Sequence, residues 1–286
     1  WSFMPRRFAE LFGGGNEEML LTNPISSELD AMRPSMLGNL ILAAGRNVDR
    51  GFDDVALFEV GPQFRDTSAK GQDFVAAGLR RGRDARRHWA QSPREVDTYD
   101  AKADALAVLE AIGAPTASIQ IAAEAPDWYH PGRSGVLRLG PKNVLAAFGE
   151  VHPRILDRMD VTGPMVAFEV FIDNAPLPKA KATRNRSDLM VSDLQSVSRD
   201  FAFVVDQATT ADAIVRAAKG ADKAFIGEVN VFDIYDGKGI EDGKKSVAIT
   251  ARLEPKDATL TDPEIEAIAA KIVAAVAKAT GAVLRG

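Results

Sequence analysis

The sequence has 286 residues, enough for one large domain or two ordinary domains that each bury a core. Hydrophobic residues make up 46% and charged residues 26%, and no apolar run is long enough to cross a bilayer, which indicates a soluble globular protein. The absence of Cys excludes disulfides, thiolate zinc sites and cysteine nucleophiles, and it fits a cytoplasmic location. The net charge of −5 argues against non-specific adhesion to nucleic acid. Because the sequence opens at Trp1 without a start Met, we expect a piece of a longer chain.

The first part of the chain predicts many short strands and few long helices. Helices are expected over Met36–Val48 and Thr98–Ile112, where apolar residues recur at helical spacing. Strands are expected over Trp1–Phe3, Leu20–Ile25, Val55–Val60, Phe74–Leu79, Ser118–Ala122, Val136–Leu139, Val144–Phe148 and Val166–Ile172. This pattern favours an antiparallel sheet over a doubly wound one, so we expect an α+β fold.

A boundary is predicted at Asp173–Ser187, which contains two prolines followed by four basic residues and indicates a linker. We therefore expect two domains, residues 1–185 and residues 190–286. The second domain predicts the ferredoxin-like βαββαβ order, with two helices on one side of a four-stranded sheet and the other side open. Its elements are expected over Asp200–Val205, Thr210–Ala218, Ala224–Tyr235, Ser246–Leu253, Asp262–Lys278 and Ala282–Arg285.

The Gly-rich stretch Phe232–Ser246 predicts a hairpin, because Asp-Gly and repeated Gly supply the positive φ angles of its turn. Strict alternation would place Val229, Val231, Asp233 and Tyr235 on one face of the sheet. A Tyr ring and a carboxylate two residues apart on an open face suit an unstacked nucleotide base. An edge hairpin with a half-buried Tyr fits the same residues.

Motifs for catalysis are sparse. The sequence has no Gly-rich phosphate loop ending in Lys-Ser/Thr, no HExxH and no GxSxG. His130 and His152 each precede Pro, and together with Glu150 they could form a metal site or a proton-transfer site. The preferred interpretation is that each His-Pro pair ends a strand. The five arginines of Arg80–Arg87 predict a solvated loop rather than a phosphate contact. We assign no catalytic and no metal-binding residue.

The stretch ending in Phe64-Arg65-Asp66-Thr67 resembles the second signature motif of class II aminoacyl-tRNA synthetases, a strand that ends in Phe-Arg-x-Glu. In those enzymes the Arg holds the α-phosphate of ATP and the Glu helps orient the adenine. Here Thr67 stands where the Glu would be, and the Arg of the third motif is missing downstream. Since an adenylate site needs positive charge at both ends of the triphosphate, the resemblance implies the class II fold without the class II reaction.

Seven stretches, in order and spread over essentially all 286 residues, resemble the C-terminal part of the bacterial phenylalanyl-tRNA synthetase β-subunit family. They are LTNPISSELDAMRPSML, DDVALFEVGPQF, WYHPGRSG, FGEVHP, SVSRDFAFVVD, FDIYDGKGIEDGKKS and TLTDPEIEAIAAKIVAAVAKATGAVLR. The resemblance implies that residues 1–185 form a non-catalytic class II synthetase-like module, packed against a catalytic α subunit in an (αβ)2 heterotetramer. It implies that residues 190–286 bind the anticodon of tRNA-Phe. ATP and Mg²⁺ would be used by the assembled enzyme and not bound by this chain.

The resemblance places the anticodon contacts at Ala202, Asp233, Tyr235 and Ser246. We add Arg199 as a phosphate or structural contact. Residues 190–286 hold 15 Asp and Glu against 12 Lys and Arg, so attraction to phosphates alone would not hold tRNA there. Binding by this domain must therefore depend on base stacking and hydrogen bonds, together with contacts from the rest of the assembly.

Two other functions compete with this interpretation. One is a free-standing RNA-binding or scaffold protein that reuses both folds. The other is an active single-chain class II enzyme, which the missing Glu and Arg disfavour.

Overall fold

The computed structural model describes residues 1–176, 193–256 and 258–285. The chain divides into two compact units, and the division falls between residues 176 and 193. Most of the linker predicted over Asp173–Ser187, and the domain limits predicted at residues 185 and 190, lie outside the described residues.

The first unit is organised around a six-stranded antiparallel sheet, as its strand-rich sequence predicts. Before this sheet come β1 (Phe3–Met4), α1 (Arg6–Ala9), β2 (Ala31–Met32), which pairs with β1, and α2 (Leu37–Val48). The sheet and its helices are β3 (Val55–Phe64), β4 (Gln72–Arg81), α3 (Thr98–Ala111), β5 (Gln120–Ala122), β6 (Tyr129–Leu139), β7 (Asn143–Val151), α4 (Pro153–Arg158) and β8 (Met165–Phe171). The strand order across the sheet is β3-β4-β8-β7-β6-β5.

The centre of this sheet is covered on both sides. On one side Ile41 of α2 lies in the same buried cluster as Val75 of β4. On the other side Leu109 of α3 lies in a buried cluster with Phe168 of β8. Since apolar side chains fill both faces, the sheet is a sandwiched layer and not an open platform.

The strand predicted over Leu20–Ile25 was wrong. Only Leu20 makes a β-bridge there, to Ala31, and the residues up to 29 form turns and bends. The apolar run is too short to form a ladder by itself, and Pro24 lacks the N–H that an interior strand position needs.

The second unit has the predicted βαββαβ order. Its elements are β9 (Val197–Asp206), α5 (Ala211–Ala221), β10 (Ile226–Tyr235), β11 (Lys244–Leu253), α6 (Asp262–Thr280) and β12 (Val283–Leu284). The strands are ordered β10-β11-β9-β12, and each of these neighbouring pairs is antiparallel. This is the ferredoxin-like arrangement expected from the sequence.

Helices α5 and α6 cover one face of the second sheet. Ile214 of α5 and Ile272 of α6 lie in one buried cluster with Phe203 and Ile249 of the sheet. Helix α6 begins at Asp262, as predicted, directly after Thr261, whose N–H donates to Glu264 Oε2 at 2.8 Å. No helix within the described residues covers the opposite face. Across those same residues, none of the helices has the length and apolar character needed to cross a membrane.

Candidate nucleic-acid interface

The uncovered face of the second sheet carries four of the five predicted site residues. In one row across the strands, Asp233 of β10 lies opposite Ala248 of β11, which lies opposite Ala202 of β9. In the neighbouring row, Tyr235 lies opposite Ser246. Core residues such as Val247 and Phe203 alternate with these positions and point to the helices, so the four site residues share the other face.

A β-bulge at Phe232 determines where Asp233 and Tyr235 lie. Val231 pairs with Ile249, and the next pair along is Asp233 with Ala248, so Phe232 is an extra residue in β10. The extra residue ends the alternation that would keep Val231 and Asp233 on one face. The prediction that Val229, Val231, Asp233 and Tyr235 share a face was therefore wrong, because the two valines face the core and the other two residues do not.

Tyr235 stands at the end of β10, beside the hairpin turn. Its hydroxyl donates a hydrogen bond to the carbonyl oxygen of Lys238 at 3.2 Å, and 39% of its surface is exposed. This bond fixes the ring at one end of the open face while leaving part of the ring available to a ligand. An aromatic ring held in this way is a stacking platform for a base.

Asp233 and Ser246 offer the polar groups of this face. Asp233 is exposed, and its carboxylate has no ion pair or hydrogen bond within the described residues. Ser246 is 4% exposed, and the hydroxyl likewise has no hydrogen-bond partner in the described part of the chain. A free carboxylate accepts hydrogen bonds from base N–H groups, and a hydroxyl donates or accepts, so the pair can read a base edge.

Arg199 is not brought together with the other four residues. It lies in β9 opposite Ala251, and the regular pairing of β9 with β11 puts it on the same side as Phe201 and Phe203. That is the side that the helices cover, so Arg199 is placed to interact with the flank of the core and not with a ligand on the open face.

Arg285 belongs to the open face, although no motif in the sequence indicates a role for it. Its backbone N–H donates to the carbonyl oxygen of Ala202 at 2.8 Å, which extends the pairing of β12 with β9 by one residue. The Arg285 guanidinium lies over the Tyr235 ring, 5.9 Å from the ring centroid. Alternation along the last strand could have assigned Arg285 a face, but only the strand order brings it to Tyr235.

The motif-like Arg65 of the first unit is tied to a neighbouring carboxylate. Its Nε and Nη2 donate to Asp73 at 2.6 and 2.9 Å, and Nη2 also donates to the carbonyl oxygen of Lys70. The hydrogen bonds that Arg65 donates to Asp73 raise the pKa of Arg65. With its charge neutralised on the hairpin between β3 and β4, and with Thr67 nearby in place of an acidic residue, Arg65 is not poised to bind a phosphate.

No motif in the sequence indicates that Glu169 is a buried carboxylate in the first unit. Glu169 of β8 is fully buried and accepts hydrogen bonds from Ser35 at 2.6 Å, from Trp128 at 3.0 Å and from Tyr129 at 3.3 Å. Burial raises the pKa of Glu169, and it raises that of Tyr129 as well. Three protein donors occupy the carboxylate, so this polar cluster joins segments that are distant in sequence and leaves little acceptor capacity for a ligand.

His130 and His152 do approach each other, with ring centroids 6.1 Å apart. Glu150 is paired with Arg133, whose Nε and Nη2 donate at 2.5 and 2.8 Å, and this pairing lowers the pKa of Glu150. Each imidazole Nδ1 accepts a backbone N–H two residues ahead, from Gly132 and from Arg154. His152 follows the end of β7 and caps α4, as the strand-end interpretation predicts, whereas His130 lies inside β6.

The Arg80–Arg87 stretch is only partly a solvated loop. Arg80 and Arg81 end β4, and Arg80 donates to both carboxylate oxygens of Asp104 on α3, at 2.6 and 2.8 Å. Arg81 donates to the carbonyl oxygens of Asp53 and Thr162. These two arginines therefore stabilise the packing of the first unit, and the loop prediction was wrong for them.

Comparison with protein families gives a match for each unit. The family of the phenylalanyl tRNA synthetase beta chain CLM domain matches residues 1–172. The family of the ferredoxin-fold anticodon binding domain matches residues 192–285. The two matches follow each other in the order of the two units.

Individual relatives match over the whole chain. The chain is 56% identical over 285 residues to the phenylalanine–tRNA ligase beta subunit of Rhodospirillum rubrum and 57% identical over 286 residues to that of Paramagnetospirillum magneticum. Each alignment covers 100% of this chain and 36% of the relative, so the chain spans about a third of the length of these relatives. Among solved structures, a pyrrolysyl tRNA synthetase of Desulfitobacterium hafniense has a TM-score of 0.43 at 13% identity, over 61% of this chain and 57% of that one.

Proposed function

The chain belongs to the phenylalanyl-tRNA synthetase β-chain family, and we propose that it works as part of a phenylalanine–tRNA ligase that charges tRNA-Phe in an ATP-dependent reaction. The comparisons favour this role over a free-standing RNA-binding protein, because both units together align with the beta subunits of phenylalanine–tRNA ligases. In this proposal the chain acts in the cytoplasm, where translation takes place.

Residues 190–286 form the anticodon-binding domain in this proposal. The observation that carries it is the uncovered sheet face on which Tyr235, Asp233, Ser246 and Ala202 are neighbours. The exposed ring would stack on one anticodon base, the free carboxylate and the hydroxyl would bind its edge, and the small side chain of Ala202 would leave room for it. Arg199, on the other face, would support the strand and not contact the RNA directly.

Residues 1–185 form a module without its own chemistry in this proposal. Arg65 is neutralised by Asp73, and Glu169 is occupied by donors of the protein itself. ATP and Mg²⁺ would be bound and used by the catalytic α subunit of the assembled enzyme, in an (αβ)2 heterotetramer. Activation by this chain alone is tested by phenylalanine-dependent pyrophosphate–ATP exchange, for which we expect background values, and clear exchange without an α subunit would contradict the proposal.

An apolar strip on the edge of the first sheet supports a role in assembly. Phe58 is 80% exposed and Val60 is 50% exposed on the edge strand β3, and Phe74 of β4 is also exposed. Phe58 lies opposite Gly78, and Val60 lies opposite Ala76. They are on the face of the sheet that α3 packs against, but α3 packs on the inner strands and leaves these edge residues exposed. Contiguous exposed apolar side chains are typical of protein interfaces.

The assembly role is tested by co-purification with the α subunit. We expect Phe58→Asp to reduce capture of the α subunit, because a carboxylate placed in an apolar contact loses its hydration without a partner. Trp89→Asp is the matched control, since Trp89 is 93% exposed but lies on the loop between β4 and α3 and not on the strands that carry the strip. Equal capture by both variants would exclude the strip from the contact.

The anticodon role is tested by titrating the chain with tRNA-Phe and with the same tRNA carrying a different anticodon, at one fixed salt concentration. One stacked base contributes about 1–3 kcal/mol, which discriminates between anticodons but binds weakly without other contacts. We therefore expect low affinity and a clear preference for tRNA-Phe. Tight binding with no preference would contradict the proposal.

A further inference from the structure

Arg285 stands on the same face as the proposed anticodon contacts and is anchored there by its backbone. The hydrogen bond from the backbone N–H of Arg285 to the carbonyl oxygen of Ala202 places Arg285 beside the middle of β9. Val283 lies opposite Val204 on the uncovered face, and by alternation the side chain of Arg285 lies on that face too. The row across the sheet therefore runs from Asp233 through two alanines to Arg285. Small side chains form the floor between the charged ends of this row.

The charge of Arg285 is free for a ligand. Within the described residues its guanidinium has no ion pair, whereas Arg216 of α5 pairs with Asp212 and Lys244 pairs with Glu241 in the same unit. An unpaired Arg in a domain that carries more acidic than basic residues keeps its full attraction for an electron-rich partner. The partner that it has in the absence of ligand is the face of the Tyr235 ring.

The space between the Arg285 guanidinium and the Tyr235 ring is almost wide enough to hold a base. A flat base inserted between a ring and a guanidinium needs two van der Waals contacts of about 3.5 Å, or a separation of about 7 Å. The guanidinium carbon of Arg285 lies 5.9 Å from the Tyr235 ring centroid. A rotation of the flexible Arg side chain opens the remaining gap, and guanidinium planes stack on bases as aromatic rings do.

We propose that Arg285 and Tyr235 form a clamp, in which one base of the anticodon lies between the Tyr ring and the Arg guanidinium. The clamp rests on the proposed function, because it needs an RNA base on this face. It adds to that function a second stacking surface at the last strand of the sheet. In this clamp Arg285 contacts the base and not a phosphate.

The clamp is tested in the 286-residue chain with tRNA-Phe, by fluorescence anisotropy and by two-dimensional NMR at RNA concentrations up to the millimolar range. We expect Arg285→Ala to weaken binding about 2- to 30-fold, the range of cation–π contacts between exposed and desolvated sites. Arg285→Lys should bind little better than Arg285→Ala, because Lys keeps the charge but lacks the planar group. Arg216→Ala removes the same charge from the helical side and should bind as the wild type does.

A double-mutant cycle separates a clamp from two independent contacts. If the base lies between the two groups, Arg285→Ala should weaken binding much less in a chain that already carries Tyr235→Ala. The slope of log affinity against log salt should be the same for Arg285→Ala and the wild type. A slope reduced by about 0.7 would assign Arg285 to a phosphate and overturn the clamp.

The possible failures are distinguishable. If Tyr235→Ala weakens binding and Arg285→Ala does not, the clamp is wrong and the anticodon role stands. Full rescue by Arg285→Lys would overturn the clamp in the same way. If the wild-type chain shows no NMR shifts with millimolar tRNA-Phe, the anticodon role is wrong and the clamp falls with it. Thermal unfolding of each variant checks that it is folded.

Discussion

Tyr235 and Ser246 lie directly opposite each other on β10 and β11, with Tyr235 39% exposed and Ser246 only 4% exposed. Cross-strand neighbours on one face of a sheet cover each other's side chains, and Ser246 has Tyr235 on one side and Val204 on the other. The ring therefore shelters a hydroxyl while keeping surface of its own for a ligand. This relationship gives the proposed site a stacking surface and a polar group within one pair of residues.

The first prediction concerns the ring of Tyr235. Tyr235→Ala should weaken binding of tRNA-Phe by about 1–3 kcal/mol, because a base loses its stacking partner. Tyr235→Phe is the control: it loses the hydrogen bond to Lys238 but keeps the ring, and should retain most of the affinity. Fluorescence anisotropy at fixed salt measures both variants.

In an assembled ligase the same Tyr235→Ala change should lower aminoacylation of tRNA-Phe and leave phenylalanine activation intact, because activation does not involve the anticodon. Aminoacylation and pyrophosphate exchange are measured on one enzyme preparation. An equal fall in both rates would mean that Tyr235 has a structural role.

The second prediction tests the bulge with two single-residue deletions. Deleting Phe232 removes the extra residue and leaves Asp233 opposite Ala248 and Tyr235 opposite Ser246, so the preference for tRNA-Phe should survive. Deleting Ile234 shortens β10 by the same amount but turns Tyr235 toward the face of Val247. That variant should lose the preference, as measured by competition between tRNA-Phe and an anticodon-swapped tRNA.

A loss of preference on deleting Phe232 as well would contradict the prediction, and it would show that the bulge itself is needed for binding in addition to the faces of the residues after it. Thermal unfolding of the two variants separates that result from a general loss of structure.

Sequence patterns predict the ferredoxin-like unit well because its signals are local. Helical spacing and the Thr261–Glu264 start of α6 each depend on residues within a few positions of one another. The bulge at Phe232 is harder to predict from the sequence, since strict alternation predicts a regular strand and only the pairing with β11 reveals the extra residue. Alternation does place Asp233 and Tyr235 together on one face, but it also puts Val229 and Val231 there, which the bulge prevents.

Non-local contacts account for what the sequence does not predict. Arg285 meets Tyr235 because β12 pairs with β9, although about half of the second unit separates the two residues in sequence. Glu169 and Ser35 are 134 positions apart, yet they form one of the most buried hydrogen bonds of the first unit. No spacing rule connects such residues, because the strand order of a sheet brings them together only after folding.

The third prediction concerns the floor of the proposed site. Ala202→Leu should weaken binding of tRNA-Phe, because a larger side chain fills the space between Asp233 and Arg285. The change lies on the face away from the helices, so the free energy of unfolding should stay within about 0.5 kcal/mol of the wild type. Ala251→Leu is the contrasting variant, since Ala251 is buried in the core and overpacking there costs about 1–3 kcal/mol of stability. Unfolding by denaturant and tRNA titration measure the two effects separately.

The fourth prediction uses the buried Glu169. Burial raises the pKa of its carboxyl group in the folded state, so the unfolded chain loses this proton at a lower pH than the folded chain does. The contribution of Glu169 to the free energy of unfolding is therefore fully present below the unfolded pKa, falls as the pH rises, and levels off above the folded pKa.

Glu169→Gln removes this titration. As the pH rises from about 4.5, the ordinary pKa of Glu, we expect the free energy of unfolding of the wild type to fall relative to that of Glu169→Gln. Carboxylates with lowered pKa, such as Glu150, change stability in the opposite direction, but they are present in both chains and cancel in the difference. A difference that stays constant from pH 4 to pH 8 would mean that Glu169 has the same pKa in the folded and unfolded chains. Binding of tRNA-Phe should be equal in the two proteins at every pH, because Glu169 lies in the first unit and the proposed site lies in the second.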